Sequence, residues 1–293
     1  MVTRLQMLEV AKRDVVGFFE KSERQVFDLS QITDIIIKNV GQWRLPQTIT
    51  TAEFLAFFTE RTKLREVRLK FRRASIKYVW GNVPFYEFLL SIKREAYFSH
   101  YTAVSFHNLT DQIPKTAYVN VEQKPNPYSK GELEQGRIDW AFKRPTRISK
   151  NCAKYRGFMV YLLEGMFTAN LGVIEMKGPE GENLRLTNLE RTLIDITVRP
   201  EYSGGVYEVL RAYQFARDKV SINTLVATLK KLGYLYPYHQ AIGFYLEKAG
   251  GYRDSQIKLL RNFNFDYDFY LVHQIKEPAY SSRWRLYYPK GLG

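Results

Sequence analysis

The chain has 293 residues, more than one compact core usually holds, so two folded units are expected. Hydrophobic residues at 45%, with 21 Tyr and 19 Phe among them, exclude an intrinsically disordered chain. Lys and Arg number 44 against 30 Asp and Glu, a formal charge of +14, which suits a polyanionic partner such as nucleic acid or an anionic membrane surface.

No apolar run is long enough for a signal-peptide core or a bilayer span, so the expected location is the cytoplasm, with no membrane partner. The single cysteine, Cys152, excludes an intrachain disulfide and a thiolate zinc cluster.

Leu5, Leu8, Val15, Val16 and Phe19 recur at helical spacing and predict a first helix over residues 4–22. A second is predicted from Leu29-Ser30, capped by Ser30, with Ile32, Ile35, Ile36 and Val40 as its apolar stripe and Gly41 as its stop. Thr50-Thr51-Ala52-Glu53 reads as a capping box that opens a third helix running to about Thr62. The period then changes to two. Val67, Leu69 and Phe71 alternate with Arg68, Lys70 and Arg72, which describes a strand with one apolar and one basic face. Arg73-Ala74-Ser75 turns it, and Ile76 to Trp80 form the returning strand. Three helices followed by a two-stranded ribbon are the element order of a winged helix-turn-helix. A further helix is predicted over residues 84–95.

Downstream, strands are predicted over residues 116–123, 136–142 and 152–163, and over 171–177 pairing with 183–187 across Gly178-Pro179-Glu180-Gly181. Lys124-Pro125-Asn126-Pro127 and Ser129-Lys130-Gly131 mark an exposed loop. Helical periodicity returns over Leu189 to Val198, Val206 to Arg217, Ser221 to Leu232 and Tyr238 to Ala249. The expected fold class is α+β: an N-terminal winged helix-turn-helix over residues 1–95, then a mixed sheet and helical C-terminal domain over residues 96–293.

The densest charge is Arg61, Lys63, Arg65, Arg68, Lys70, Arg72, Arg73 and Lys77, opposed only by Glu66. On a wing such a run suits phosphate contacts, which supply affinity without sequence information; the alternative is a solvated basic face. Base readout is expected at the opening of the third helix. There Gln47, Thr48, Thr50 and Thr51 can meet base edges beside a helix N-terminus, unless Thr50 serves only as a cap. A second basic stretch, Lys143, Arg144, Arg147, Lys150, Lys154 and Arg156, contains no acidic residue. It suits a wider DNA footprint, an acidic partner, or a loop kept soluble by charge.

Arg191 and Asp195 stand four apart and can pair on one helix face, with a structural role expected. The enzymatic alternative rests on Glu175-Met176-Lys177 in a predicted strand, with Asp139 in an earlier one. That set approximates the Asp and Glu-x-Lys pattern of magnesium-dependent restriction-type nucleases. The histidines, His100, His107, His239 and His273, lack metal-ligand spacing, and no glycine-rich phosphate loop occurs, so no metal or cofactor is expected.

Several separated segments carry a resemblance. YFSHYTAVSFHNLTDQIPKTAYV (97–119), LTNLERTLIDITVRPEYSGGVYEVLRAY (186–213), AIGFYLEKAGGY (241–252) and the closing RWRLYYPKGL (283–292) resemble, in order, the AbiEi family of antitoxins, transcriptional regulators of viral defence systems. The resemblance implies a non-enzymatic antitoxin of a type IV toxin-antitoxin operon. Its N-terminal winged helix would bind inverted repeats in double-stranded promoter DNA and repress its own transcription, and its C-terminal region would counteract a nucleotidyltransferase-like toxin. The third helix departs from the commoner members, carrying Glu53, Glu60 and a single basic residue, Arg61.

Overall fold

The computed structural model describes residues 3–125 and 131–292 of a mixed α+β chain. Two compact units divide it: Met1–Arg94 with Lys177–Glu182, and Glu95–Met176 with Asn183–Gly293. The division falls one residue before the expected boundary, and the grouping of 177–182 with the first unit has no counterpart in the sequence reading.

The first unit runs α1 (Arg4–Lys21), β1 (Val26–Phe27), α2 (Leu29–Asn39), α3 (Thr51–Arg61), β2 (Leu64–Leu69), β3 (Ser75–Trp80) and α4 (Phe85–Ser91). Thr3 opens α1 with a capping box, accepting from the Gln6 amide at 3.3 Å while its own amide donates to Gln6 Oε1 at 2.8 Å. The N-cap of α2 lies two residues before Ser30, the cap expected from the sequence. Val26 and Phe27 pair with Val79 and Tyr78 of β3, so the chain leaves extended structure at Asp28, which becomes the N-cap. The sheet order is β1-β3-β2, with β2 and β3 antiparallel from Leu64↔Trp80 to Leu69↔Ser75.

Val15 and Phe19 of α1 and Ile32 and Ile36 of α2, read from the periodicity, meet Phe54 and Phe58 of α3 and Trp80 of β3 in one buried core, whereas Leu5 of the expected stripe is exposed. Phe19 stacks on Trp80 at 5.1 Å, and Trp43 from the α2–α3 connection lies 6.2 Å from Phe54. Each such side chain removed from water contributes about 1.5–3 kcal/mol, which is how a unit this small closes a core.

The second unit contains β4 (Tyr97–Phe98), α5 (His100–Phe106), β5 (Thr116–Glu122), α6 (Gln135–Phe142), β6 (Cys152–Tyr155), β7 (Phe158–Gly165), β8 (Val173–Lys177), β9 (Asn183–Thr187) and α7 (Leu189–Val198). It continues with α8 (Val206–Phe215), α9 (Ile222–Leu232), α10 (Tyr238–Ala249), α11 (Asp254–Arg261), β10 (Phe269–Tyr270), β11 (Pro278–Ser281) and β12 (Leu286–Pro289). β6 to β9 join β4 and β5 in a mixed sheet of order β6-β7-β5-β4-β9-β8. The single strand expected over 152–163 is instead a hairpin. It turns at Arg156-Gly157, where φ values of 44° and 82° match a two-residue turn with both residues left-handed.

The segment 136–142, read as a strand, is the helix α6. Ile138 and Phe142, four apart, are buried while Trp140 between them is 60% exposed, an arrangement that only the helical period produces. Within the loop predicted over 124–131, residues 126–130 lie outside the described residues.

α7 to α11 enclose the larger core, which the final segments complete. β10 pairs parallel to β12 and β11 antiparallel to it. Trp284, fully buried, packs against α10 at Gly243, where a Cβ would overlap the indole ring. Among the described residues no helix is long and apolar enough to cross a membrane.

Candidate nucleic-acid interface

β2 and the turn that follows it position the basic run. Leu64, Leu69 and Phe71 are buried, and Arg65, Arg68, Lys70, Arg72 and Arg73 are exposed. Arg65 donates to the Gly81 carbonyl at 2.6 Å, and Arg68 lies 3.2 Å from Glu66. Closer to α3, Arg61 pairs with Glu9 and stands over the Phe57 ring, and Lys63 pairs with Glu20 at 3.1 Å. Lys77 departs from the expected set. Its ammonium is 2.6 Å from Asp28 Oδ1 and its side chain is only 6% exposed, so it joins the core of the unit and does not face solvent.

The opening of α3 is largely occupied by its own chain. Thr50 accepts from the Glu53 amide at 3.1 Å while its amide donates to Glu53 Oε2 at 2.9 Å, the capping box read from the sequence. Thr51 is half-buried with its hydroxyl 2.9 Å from that of Thr33. Thr48 is exposed and accepts from Arg4 at 2.6 Å, and Gln47 is exposed. Hydrogen bonds from the Thr50 backbone and hydroxyl, reinforced by Arg4, hold the Glu53 carboxyl below its ordinary range. The N-terminus of α3 thus already carries a negative charge against its dipole, which disfavours a phosphate there. Between α1 and α3 a groove of about 310 Å³ is lined by Leu5, Leu8, Ile49 and Phe57, with Arg4, Glu53, Glu60 and Arg61 at its rim.

In the second unit Arg191 Nε donates to Asp195 Oδ1 at 2.7 Å, and each side chain is 7% exposed. The guanidinium also donates to the Leu171 carbonyl at 3.0 Å, while Asn188 caps α7 by accepting from the Arg191 amide. Burial pushes the Asp195 carboxyl up against the opposing pull of Arg191. The pair therefore fixes the loop before β8 to α7. A neighbouring carboxylate, Glu122, which the sequence reading missed, accepts from the amides of Thr168 and Asn170 at 2.9 and 3.1 Å.

The nuclease-like set keeps half of its strand premise. Glu175 and Lys177 are exposed on β8 as expected, whereas Asp139 lies on the helix α6, held by Gln135 at 2.8 Å and Tyr270 at 3.0 Å. Among the described residues no three His, Cys, Asp or Glu side chains gather as a metal site requires. His100 opens α5 and His107 is its C-cap. His100 adopts φ 51° with Nδ1 2.8 Å from Ser99 Oγ, and His107 Nε2 is 2.7 Å from the Thr187 carbonyl. Burial, with Arg191 and Arg199 adding to it, pushes His100 down to about 3; burial pushes His239, which stacks on Phe263, down to about 4. His273 stacks on Phe142 at 4.3 Å.

The second basic stretch leaves α6 with Lys143, Arg144, Arg147, Lys150, Lys154 and Arg156 exposed. Arg144 covers Trp140 at 3.5 Å, a pairing that the sequence offered as an i,i+4 spacing once 135–142 is read as helix.

No protein-family model matches the chain, and no curated protein matches it in sequence. Its fold is similar to that in the crystal structure of the RV2827C protein from Mycobacterium tuberculosis, with a TM-score of 0.58, 12% identity, and coverage of 95% of this chain and 91% of that one. At that identity the likeness concerns the fold alone.

Proposed function

We propose that the chain is a DNA-binding antitoxin of the AbiEi type, whose first unit works as a winged helix on double-stranded promoter DNA to repress its own operon. The observation that carries this reading is the row of exposed cations, Arg65, Arg68, Lys70, Arg72 and Arg73, on β2 and its turn, in a unit whose elements run α1-β1-α2-α3-β2-β3. Exposed ion pairs such as Arg68 with Glu66 or Lys63 with Glu20 contribute about 0–1 kcal/mol, so exchanging the carboxylate for a phosphate costs little. Phosphate contacts then supply most of the affinity. Of the residues expected to read bases, Gln47, Thr48 and Thr50 are exposed, but Thr48 accepts from Arg4 and Thr50 caps α3, and Thr51 is half-buried against Thr33.

The antitoxin role is assigned to the second unit, where the AbiEi-like segments lie, acting against a nucleotidyltransferase-like toxin. Footprinting the full chain on the DNA upstream of its own gene tests the first half: protection of an inverted repeat is expected, and its absence would sink the promoter assignment. Growth rescue in cells that express the toxin tests the second half.

A further inference from the structure

The segment leaving α6 combines charge with an exposed flat ring. Of the four tryptophans, Trp43, Trp80 and Trp284 are buried, whereas Trp140 is 60% exposed. Its position is fixed from beneath, because Ile138 and Phe142 anchor the opposite face of α6. The Arg144 guanidinium carbon lies 3.5 Å from the centre of the Trp140 ring. The main chain at Arg144 is held as well: its amide donates to the Ala141 carbonyl at 3.2 Å, and its carbonyl is 3.0 Å from His273 Nδ1. The one acidic side chain of α6, Asp139, is engaged by Gln135 and Tyr270. From Trp140 to Arg156 no acidic residue occurs, and Lys143, Arg147 and Lys150 are exposed.

A guanidinium over an indole is a planar cation on a π face, and more than half of the tryptophan remains accessible to a second planar group. A duplex hides its base faces in the stack, whereas an unpaired base offers one, and base stacking on aromatics beside phosphate-binding cations is how single strands are held. An acidic peptide would answer the charges and leave the ring unused. A membrane-inserting surface needs several apolar side chains, and in this segment only Ile148 is exposed besides Trp140.

We propose that this surface of the second unit binds single-stranded nucleic acid, with an unpaired base stacked on Trp140 and phosphates held by Lys143, Arg144 and Arg147. It is separate from the duplex binding assigned to the first unit.

Because the other tryptophans are buried, quenching of intrinsic fluorescence reports on Trp140. The full chain is titrated with oligo-dT and oligo-U of about fifteen nucleotides, with duplex DNA of equal length, and with vesicles containing phosphatidylserine. Quenching by the single strands is expected. With affinities of the variants read from the anisotropy of dye-labelled strands, Trp140→Ala should weaken single-strand binding about ten-fold or more while duplex affinity stays unchanged, and Trp140→Phe should restore most of it. Arg147→Ala should lower the slope of log affinity against log salt by about 0.7. Equal quenching by duplex, response to vesicles alone, or single-strand affinity that Trp140→Ala leaves intact would each overturn the proposal. Failure of the first unit to bind duplex would leave these outcomes unaffected.

Discussion

Lys77 Nζ stands 2.6 Å from Asp28 Oδ1, tying the returning strand β3 to the N-cap of α2. The lysine is 6% exposed and the aspartate 52%, so one end of the pair is desolvated and the other wet. Asp28→Asn leaves the buried ammonium with a neutral partner and should destabilise by about 1–3 kcal/mol, seen as a lower urea midpoint. Lys77→Met, which keeps the stem and removes the charge, should be close to neutral in stability. It should also leave the salt dependence of DNA binding where it was; a flatter slope would return Lys77 to the DNA-facing set.

Replacing Arg68, Lys70 and Arg72 with Ala should act in the opposite way. These side chains are exposed, so stability should change little, while each lost phosphate contact lowers the log-log salt slope by about 0.9. Electrophoretic titrations at several salt concentrations measure it, and an unchanged slope in a folded variant would remove the β2–β3 ribbon from the interface.

Asp195→Ala strips the only carboxylate bonded to the buried Arg191 guanidinium among the described residues. A loss of about 3–5 kcal/mol is expected, against about 0.3–0.5 for an exposed i,i+4 pair. Antitoxin activity should fall in proportion to the folded fraction, with promoter binding largely retained. A stable Asp195→Ala chain that binds DNA and fails to neutralise toxin would place the residue on a functional surface.

Acid should weaken the second unit through its histidines. His100 and His239 are held near 3 and 4 in the folded chain, below the ordinary 6.5. As pH falls below 6.5 the unfolded chain takes up protons first, so stability present at neutral pH is lost progressively towards pH 4. The loss reaches at most about 1.4 kcal/mol per pH unit for each histidine. His100→Asn, which tolerates the φ of 51°, should flatten the fall in urea midpoint between pH 6.5 and 4.5. An identical fall in the variant would mean that His100 titrates normally in the folded chain.

Much of this organisation is legible in the residues themselves. The Thr50 and Glu53 capping box and the stripe of α9 are local patterns, and local patterns decide those elements; the strand read from Val67 instead spans Leu64–Leu69, with Lys70 to Ala74 in the turn, and α7 and α10 are buried nearly all round. Where three alternating residues stood alone, as Ile138, Trp140 and Phe142 do, the period of two was compatible with a helix whose fourth-residue neighbours are buried. β1 and β10 are too short to show any period; long-range pairing with β3 and β12 defines them. The inward turn of Lys77 was invisible for the same reason. Its partner lies 49 residues earlier, and nothing in a run of cations marks the one that folds away from water.

The packing of Trp284 on Gly243 also orders events during synthesis. The core around α10 lacks its largest plug until residues 284–292 have left the ribosome, whereas residues 3–94 emerge much earlier. At roughly 5–20 residues per second, the 35 residues from Ala249 at the end of α10 to Trp284 take on the order of two to seven seconds, during which the completed α7 to α10 lack their final cover. A nascent chain of this protein should thus be exposed to aggregation chiefly through its second unit.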